Sequence, residues 1–168
     1  MSKKIPSKLL IVLAVAALVG CGAERSPVLL STMSRQESLK ADKEPTEVVF
    51  RSDFSSGVQS ASEQSRPMLV FFTLPQCGNA QMMMETTFAD KEVCKLSQRF
   101  VCVRIDSSQN VSLCEERNVN GFPTILLLSP QGTEIQRMTG RQNADQLSVQ
   151  MQVALQSTAS AASRAVSR

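Results

Sequence analysis

The sequence predicts an α/β domain with a central mixed sheet, in which parallel strands are followed by a C-terminal antiparallel hairpin and helices cover both faces. Continuous apolar runs of strand length alternate with segments of helical pattern, which favours parallel β-α units. A Pro-Gln-Gly turn joins the last two strand candidates, which is typical of a hairpin. Apolar residues make up 42% of the 168 residues and charged residues 20%, as in ordinary soluble domains.

The predicted domain begins with a short strand, a helix and a longer strand. Residues 46–50 (TEVVF) have the composition of a strand. Asp53 is a suitable N-cap for a helix over Phe54–Gln64, where apolar residues recur along one face. Residues 68–74 (MLVFFTL) are continuously apolar, so we expect a strand that is covered on both faces.

Helices and a second long strand come next. We expect a helix over Gly78–Glu85 and a further turn or helix over residues 90–98. Residues 100–106 (FVCVRID) have the pattern of another buried strand, and residues 111–117 that of a short helix. Each strand is thus separated from the next by helical segments, as crossover connections require.

A hairpin and a helix complete the domain. Residues 124–129 (TILLLS) and 133–138 are strand candidates, joined by the turn at residues 130–132. The last helix starts at Asn143 or Asp145, because apolar residues recur at every fourth position beyond them. The resulting order, β-α-β-α-β-α-β-β-α, leaves few folds open.

The first twenty residues have the pattern of an export signal. Lys3, Lys4 and Lys8 precede an apolar run of eleven residues, 9–19, which is too short for an ordinary transmembrane helix and suits a signal sequence. The run ends in Leu-Val-Gly-Cys, which resembles the bacterial lipobox and implies cleavage before Cys21 and lipidation of that residue. A plain secretory signal, with Cys21 an ordinary thiol, is the alternative.

The segments outside the predicted domain have different compositions. Residues 1–20 are the predicted signal peptide, and residues 21–45 form a polar, flexible tether from the lipid anchor. Residues 46–156 form the compact domain. Residues 157–168 are rich in Ser and Ala and are expected to be a disordered tail.

The residue types that are missing exclude several classes of chemistry. The chain has no His, Trp or Tyr, which excludes catalytic systems and metal sites that depend on His. Beyond the three signal lysines, 15 basic residues balance 15 acidic ones, so nothing favours binding to nucleic acid. Adjacent methionines at 82–84 point about 100° apart on a helix, so we expect neither a metal site nor any cofactor.

Two motifs at corresponding places in this order resemble those of the thioredoxin family. The segment TLPQCG (73–78) follows a buried strand and opens a helix, where thioredoxins carry their Trp-Cys-Gly-Pro-Cys loop. The segment NGFPT (120–124) precedes the next buried strand and is similar to the family's Gly-Ile/Phe-Pro-Thr segment. A Thr-Phe-x-Asp turn at residues 87–90 resembles the exported thioredoxin-like subfamily. The resemblance implies a thioredoxin-like fold for residues 46–156.

The resemblance also implies roles for individual residues. Cys77 is the implied catalytic nucleophile, and a helix N-terminus stabilises a thiolate over a thiol. Pro123 is implied to be cis and to face Cys77, and Gly140 corresponds to a glycine that substrate backbone approaches. The implied substrate-binding residues are Gln76, Gly78, Phe122, Pro123, Thr124 and Gly140.

The active-site loop departs from the family pattern in ways that limit its chemistry. The motif is Cys-Gly-Asn-Ala, so Ala80 replaces the second cysteine and Asn79 replaces the usual Pro. Gln76 stands where thioredoxins have Trp, and Phe71 where they have a buried Asp. A dithiol cycle within this loop is therefore impossible.

Three further cysteines have alternative interpretations. Cys102 lies in a buried strand and is expected to be a small core residue. Cys114 is also expected in the core. Cys94 or Cys114 could alternatively act as a distant partner for Cys77, if the Cα atoms come within about 7 Å.

Two function classes follow from these observations. The first is a lipid-anchored, monomeric protein of the bacterial cell envelope, facing the periplasm or the exterior, that exchanges disulfides with a protein or peptide client through Cys77. The second is a catalytically inactive thioredoxin-like module that binds an extended peptide or a partner protein at the Cys77/Pro123 groove.

Overall fold

The computed structural model describes residues 45–166. The predictions for the signal peptide, for Cys21 and for the tether up to residue 44 lie outside these residues. The described elements are, in chain order, α1 (Phe54–Gln64), β1 (Met68–Thr73), α2 (Gly78–Glu85), α3 (Lys91–Ser97), β2 (Val101–Asp106), α4 (Val111–Glu116), β3 (Thr124–Leu128), β4 (Glu134–Thr139) and α5 (Ala144–Val166).

The strands form one mixed sheet in the order β2-β1-β3-β4. β1 and β2 are parallel, with Phe72 opposite Ile105. β3 runs antiparallel to β1 and forms the predicted hairpin with β4. The α/β class and the mixed sheet are confirmed, and parallel pairing within the described strands is limited to β1 and β2.

Helices cover both faces of this sheet, as predicted. On one face, α2, α3 and α5 pack against Leu69 and Phe71 of β1. On the other face, α1 and α4 pack against Met68, Val70 and Phe72. Every side chain of β1 is buried, which explains why its sequence is continuously apolar.

The ends of several helices follow from their capping residues. The Asp53 carboxylate accepts a hydrogen bond of 2.6 Å from the Ser56 backbone N–H, which starts α1 and lowers the pKa of Asp53. Asp90 caps α3 in the same way, through the backbone N–H groups of Glu92 and Val93. Asn143 accepts from the Gln146 backbone N–H and begins α5.

Two predictions of local structure are wrong. Residues 46–50 form no strand, and only Arg51 makes a single parallel bridge to Val103. Val49 is 72% exposed, whereas Val48 is buried and Phe50 packs against the core, so the apolar residues of this segment contact the core without joining the sheet. The tail at 157–168 was expected to be disordered, but α5 continues to Val166. Alanine has the highest helix propensity, so the Ser/Ala-rich end prolongs a helix that Leu147 and Met151 already hold on the core.

Candidate functional site

Cys77 occupies the N-cap position of α2, directly after the loop that leaves β1. Its backbone N–H donates to the Leu74 carbonyl at 3.2 Å, and its carbonyl accepts from the Gln81 N–H at 3.0 Å. Gln76 adopts a left-handed φ of 62° to make this turn. The Cys77 thiol makes no capping hydrogen bond and is half-buried. A partly accessible thiol therefore lies at the positive end of a helix.

A cavity of about 620 Å³ borders Cys77. One wall is the loop of residues 74–77, and a second is the side of α2 that carries Ala80, Gln81 and Met84. The third wall is the end of β2, with Arg104 and Asp106, and the loop that follows it. Its size is within the range of small-molecule sites.

The two positions that depart most from the thioredoxin pattern lie beneath this loop. Ala80 is 2% exposed, packs in the core on this face and borders the cavity, so a buried methyl group stands at the place of the second cysteine. Phe71 is fully buried, with its ring centroid 4.9 Å from that of Phe88 and 6.3 Å from that of Phe50. An aromatic cluster thus fills the core against which Cys77 packs.

Pro123 lies at the same edge of the sheet as the Cys77 loop. The Phe122–Pro123 peptide bond is cis, as the resemblance implied. Phe72, at the end of β1, is paired with Thr124 at the start of β3. Pro123 directly precedes Thr124 and therefore lies at the end of the sheet from which the Cys77 loop leaves β1. The Gly140 N–H donates to the Pro123 carbonyl at 2.8 Å.

Gly140 and the residues after it connect this second group to α2. Gly140 has a φ of 85°, and a Cβ placed there would meet only open space. The Thr87 hydroxyl donates to the Gln142 carbonyl at 2.7 Å, and the Gln142 backbone N–H lies 3.5 Å from the Met83 sulfur. These contacts hold the segment after β4 against the helix that Cys77 begins.

The predicted site residues therefore form two neighbouring groups. Gln76 and Cys77 line the cavity, and Gly78 follows them with open space around its Cα. Phe122, Pro123, Thr124 and Gly140 lie together where β3 begins and β4 ends. In this second group, Phe122 packs partly against the core on the α1/α4 face, and the Thr124 hydroxyl donates to the Gly121 carbonyl.

Sequence reasoning missed the residues that β2 contributes to the cavity. Arg104 is the exposed residue in the middle of the otherwise buried part of β2. A lone cation inside the apolar run FVCVRID was the available signal, because it has to leave the core on one face. Asp106 accepts from the Ser108 backbone N–H at 3.0 Å and from the Ser108 hydroxyl at 2.6 Å, so it caps the turn that follows β2.

The other described cysteines are free thiols in the core. Burial raises the pKa of Cys102 to about 12. Burial also raises the pKa of Cys94, and the carboxylates of Asp90 and Glu47 add to this effect. Cys114 packs in the cluster on the opposite face of the sheet from the one that Cys77 joins.

The adjacent methionines of α2 point in different directions, as their spacing predicts. Met83 is fully buried and Met82 is 42% exposed, whereas Met84 lines the cavity. Among residues 45–166, no three Cys, Asp or Glu side chains are placed to hold a metal ion. No helix in the same range has the length and apolar character to cross a membrane.

Comparisons with known proteins agree with this fold. The thiol:disulfide interchange protein DsbD of Campylobacter jejuni is 26% identical over 114 residues, which cover 66% of this chain. The chain spans only about a fifth of the length of that relative, 20%. The thioredoxin-like protein slr0233 of Synechocystis is 29% identical over 106 residues, which cover 63% of this chain and 98% of that protein.

A solved structure and a family model give the same assignment. A thioredoxin from Thermus thermophilus superimposes with a TM-score of 0.58 at 20% identity, over 64% of this chain and 88% of that one. The model of the thioredoxin-like domain family matches residues 54–154, which include β1 to β4 and both groups of site residues. The chain therefore belongs to the thioredoxin-like domain family.

Proposed function

We propose that this chain is a membrane-anchored thioredoxin-like protein of the bacterial cell envelope that exchanges disulfides with a protein or peptide client through Cys77 alone. The observation that carries the proposal is the half-exposed Cys77 thiol at the N-cap of α2, beside an open cavity. The sequence similarity to a thiol:disulfide interchange protein supports a redox role.

The proposed reaction begins with the Cys77 thiolate. It attacks one sulfur of a client disulfide, so that a mixed disulfide forms and the other client sulfur leaves as a thiolate. Cys77 is the N-cap residue of α2, so its sulfur is carried at the positive end of that helix. Pro123 and Gly140 lie at the same edge of the sheet as the Cys77 loop. We propose that an extended client segment binds there, with Gln76, Gly78, Phe122 and Thr124 around it.

The motif Cys77-Gly78-Asn79-Ala80 then leaves the mixed disulfide without a resolving thiol in the loop. The other described cysteines are buried in the core, so we propose that a thiol from outside the chain resolves it. This makes the protein a monothiol exchanger, distinct from a dithiol reductase.

The proposed location rests on the N-terminal sequence and on the relative. The Leu-Val-Gly-Cys ending of the apolar run supports lipidation at Cys21 after signal cleavage, and several acyl chains would anchor the protein stably. The likeness to DsbD supports a site outside the cytoplasm. We propose a monomer that faces the periplasm or the exterior.

A second candidate function is an inactive module that binds an extended peptide at the Cys77/Pro123 groove. The observation in its favour is that two groups used in catalysis by thioredoxins, the buried Asp and the second Cys, are both replaced. Phe71 fills a buried position with an aromatic ring, and Ala80 supplies no thiol. A groove of this kind needs only backbone and side-chain contacts to hold a peptide.

Reaction with 2,2′-dithiodipyridine distinguishes the two candidates. The full chain with Cys21→Ser, in detergent, should release thiopyridone from one site at neutral pH, several times faster than an unstructured cysteine peptide does. Peptide mass mapping should place the label on Cys77. Cys114→Ala should react normally, and Cys77→Ser should not react. Labelling of Cys77 no faster than that of the peptide would refute exchange at Cys77. Binding of a client peptide that survives Cys77→Ser but is lost in Pro123→Ala would establish the second candidate, a peptide-binding groove without exchange.

A further inference from the structure

The cavity beside Cys77 contains a cation that the proposed exchange has not yet used. Arg104 projects from β2 on the face that carries Cys77, and it is exposed and lines the cavity. Within the described residues its guanidinium has no ion pair and no side-chain hydrogen bond. A free guanidinium in a concave site is suited to bind a carboxylate, with two parallel hydrogen bonds.

Two acidic groups share the cavity with Arg104, and both are already hydrogen-bonded. Glu85 accepts from the Gln81 side chain at 3.0 Å. Asp106 accepts from the backbone and hydroxyl of Ser108, and from Gln109 at 3.3 Å. The cavity therefore offers one unpaired cation and two carboxylates, which is the complement of a ligand that carries both a carboxylate and an ammonium group.

The cavity and the predicted client groove lie on opposite sides of Cys77. The strand order is β2-β1-β3-β4, and Cys77 follows the end of β1. Arg104 lies on β2, on one side of β1, whereas Pro123 precedes β3 on the other side. Thiol–disulfide exchange needs the incoming and leaving sulfurs on opposite sides of the sulfur under attack. A client on the Pro123 side thus leaves the Arg104 side open for a second thiol.

Ala80 borders the same side of Cys77. It faces the cavity at the position where a dithiol member of the family carries its own resolving cysteine. Ala80 is 2% exposed and supplies no thiol, so resolution depends on a thiol that enters the cavity from outside. Ala80, Cys77 and Arg104 all line this one cavity.

We propose that Arg104 selects a small zwitterionic thiol of the amino-acid type as the resolving thiol, by binding its carboxylate in the cavity beside Cys77. This inference rests on the proposed exchange at Cys77. The small thiolate attacks the Cys77 sulfur of the mixed disulfide, and the client leaves as a thiolate. A second small thiolate then attacks the sulfur of the bound small thiol, which releases the Cys77 thiolate and a small-molecule disulfide. Two small thiols are oxidised, one client disulfide is reduced, and the protons go to solvent.

Cysteine and cysteamine test this proposal because they differ only in the carboxylate. The Cys77 thiopyridyl disulfide is prepared on the full chain with Cys21→Ser, and the release of thiopyridone by each thiol is followed. The ratio of the cysteine rate to the cysteamine rate is divided by the same ratio for an unstructured peptide disulfide, which removes intrinsic reactivity. An exposed ion pair predicts a normalised ratio of about two to five.

Variants of Arg104 complete the test. Arg104→Gln should lower the normalised ratio to about one, and Arg104→Lys should keep part of the preference. Arg99→Gln, an exposed arginine outside this cavity, should change nothing. A ratio near one in the unmodified chain, or a ratio that Arg104→Gln leaves unchanged, overturns the proposal while exchange at Cys77 still stands. Failure of the thiopyridyl disulfide to form on Cys77 would instead overturn the proposed function. If Arg104→Gln loses only the binding of an acidic peptide, the proposed role of Arg104 in selecting the resolving thiol is also overturned. Arg104 would then be a residue of client recognition.

Discussion

Ala80→Cys should convert the proposed monothiol site into a dithiol site. Position 80 is three residues beyond Cys77 on α2, and residues at this spacing share a helix face with Cβ atoms about 5–6 Å apart. The extended N-cap conformation of Cys77, with φ of −72° and ψ of 102°, leaves its side chain at the start of that face. The added sulfur points toward the cavity that Ala80 lines.

The size of the effect follows from this placement. Because Ala80 is 2% exposed and packs in the core on this face, the neighbouring side chains must shift to accommodate the added sulfur, and the substitution should lower the free energy of unfolding by about 1–3 kcal/mol. A thiol on a short flexible link already has an effective concentration in the millimolar range, and one fixed on the same helix face exceeds it. Resolution of a Cys77 mixed disulfide should therefore be at least about tenfold faster than with external thiol at about 0.1 mM.

The assay is the release of thiopyridone from the Cys77 thiopyridyl disulfide in stopped flow, together with turnover of a disulfide client. The matched control is Asn79→Cys, which adds a thiol at i+2, away from the shared face. Asn79 is exposed and Ala80 is buried, so a thiol at position 79 is at least as accessible as one at position 80. Equal acceleration by both variants, or none by Ala80→Cys, would refute the geometric reasoning.

Three further outcomes are expected. Phe71→Ala should lower the free energy of unfolding by about 3–5 kcal/mol in urea titration, because its ring is fully buried; the half-buried Phe54→Ala should lose clearly less, and equal losses would contradict the described core. Cys102 keeps its proton in the folded state from pH 9.0 to about 12, whereas the unfolded chain loses it. Stability should therefore fall by up to about 1.4 kcal/mol per pH unit across this window and not below it, and Cys102→Ala should remove that part of the slope. Cys21→Ser should leave the protein unlipidated and uncleaved or released from the membrane; an N-terminal peptide without lipid mass in the unmodified protein would disprove the anchor.

The sequence by itself was sufficient for the fold because its local signals agree with one another. The apolar run of β1 is continuous since all six side chains are buried, and the caps at Asp53 and Asp90 mark where helices begin. The two motifs then predicted that Cys77 begins a helix after one buried strand and that Pro123 precedes the next buried strand of the sheet. Each of these signals lies within a few neighbouring residues, so no long-range contact was needed to recognise it.

The two incorrect predictions of secondary structure concern segments whose conformation depends on long-range contacts. Residues 46–50 have strand composition, yet only Arg51 pairs with β2, although β2 is an edge strand of the sheet. Composition gives the propensity of a segment for strand structure, and contacts with the neighbouring strand decide whether it pairs. The Ser/Ala-rich end of the chain looked disordered by composition. It is helical because α5 begins as a segment that the core already holds in place, and propagation of a helix is easier than its nucleation.

The sequence determined that Cys77 carries the thiol of the active-site loop and that position 80 has no second thiol. Only the tertiary structure decided what surrounds that thiol. Arg104 is 27 positions from Cys77 in the chain, and the parallel pairing of β1 with β2 brings the two to one cavity. A sequence records the order of residues along a strand but not which strand lies beside it, and the neighbouring strand supplies the charge at this site.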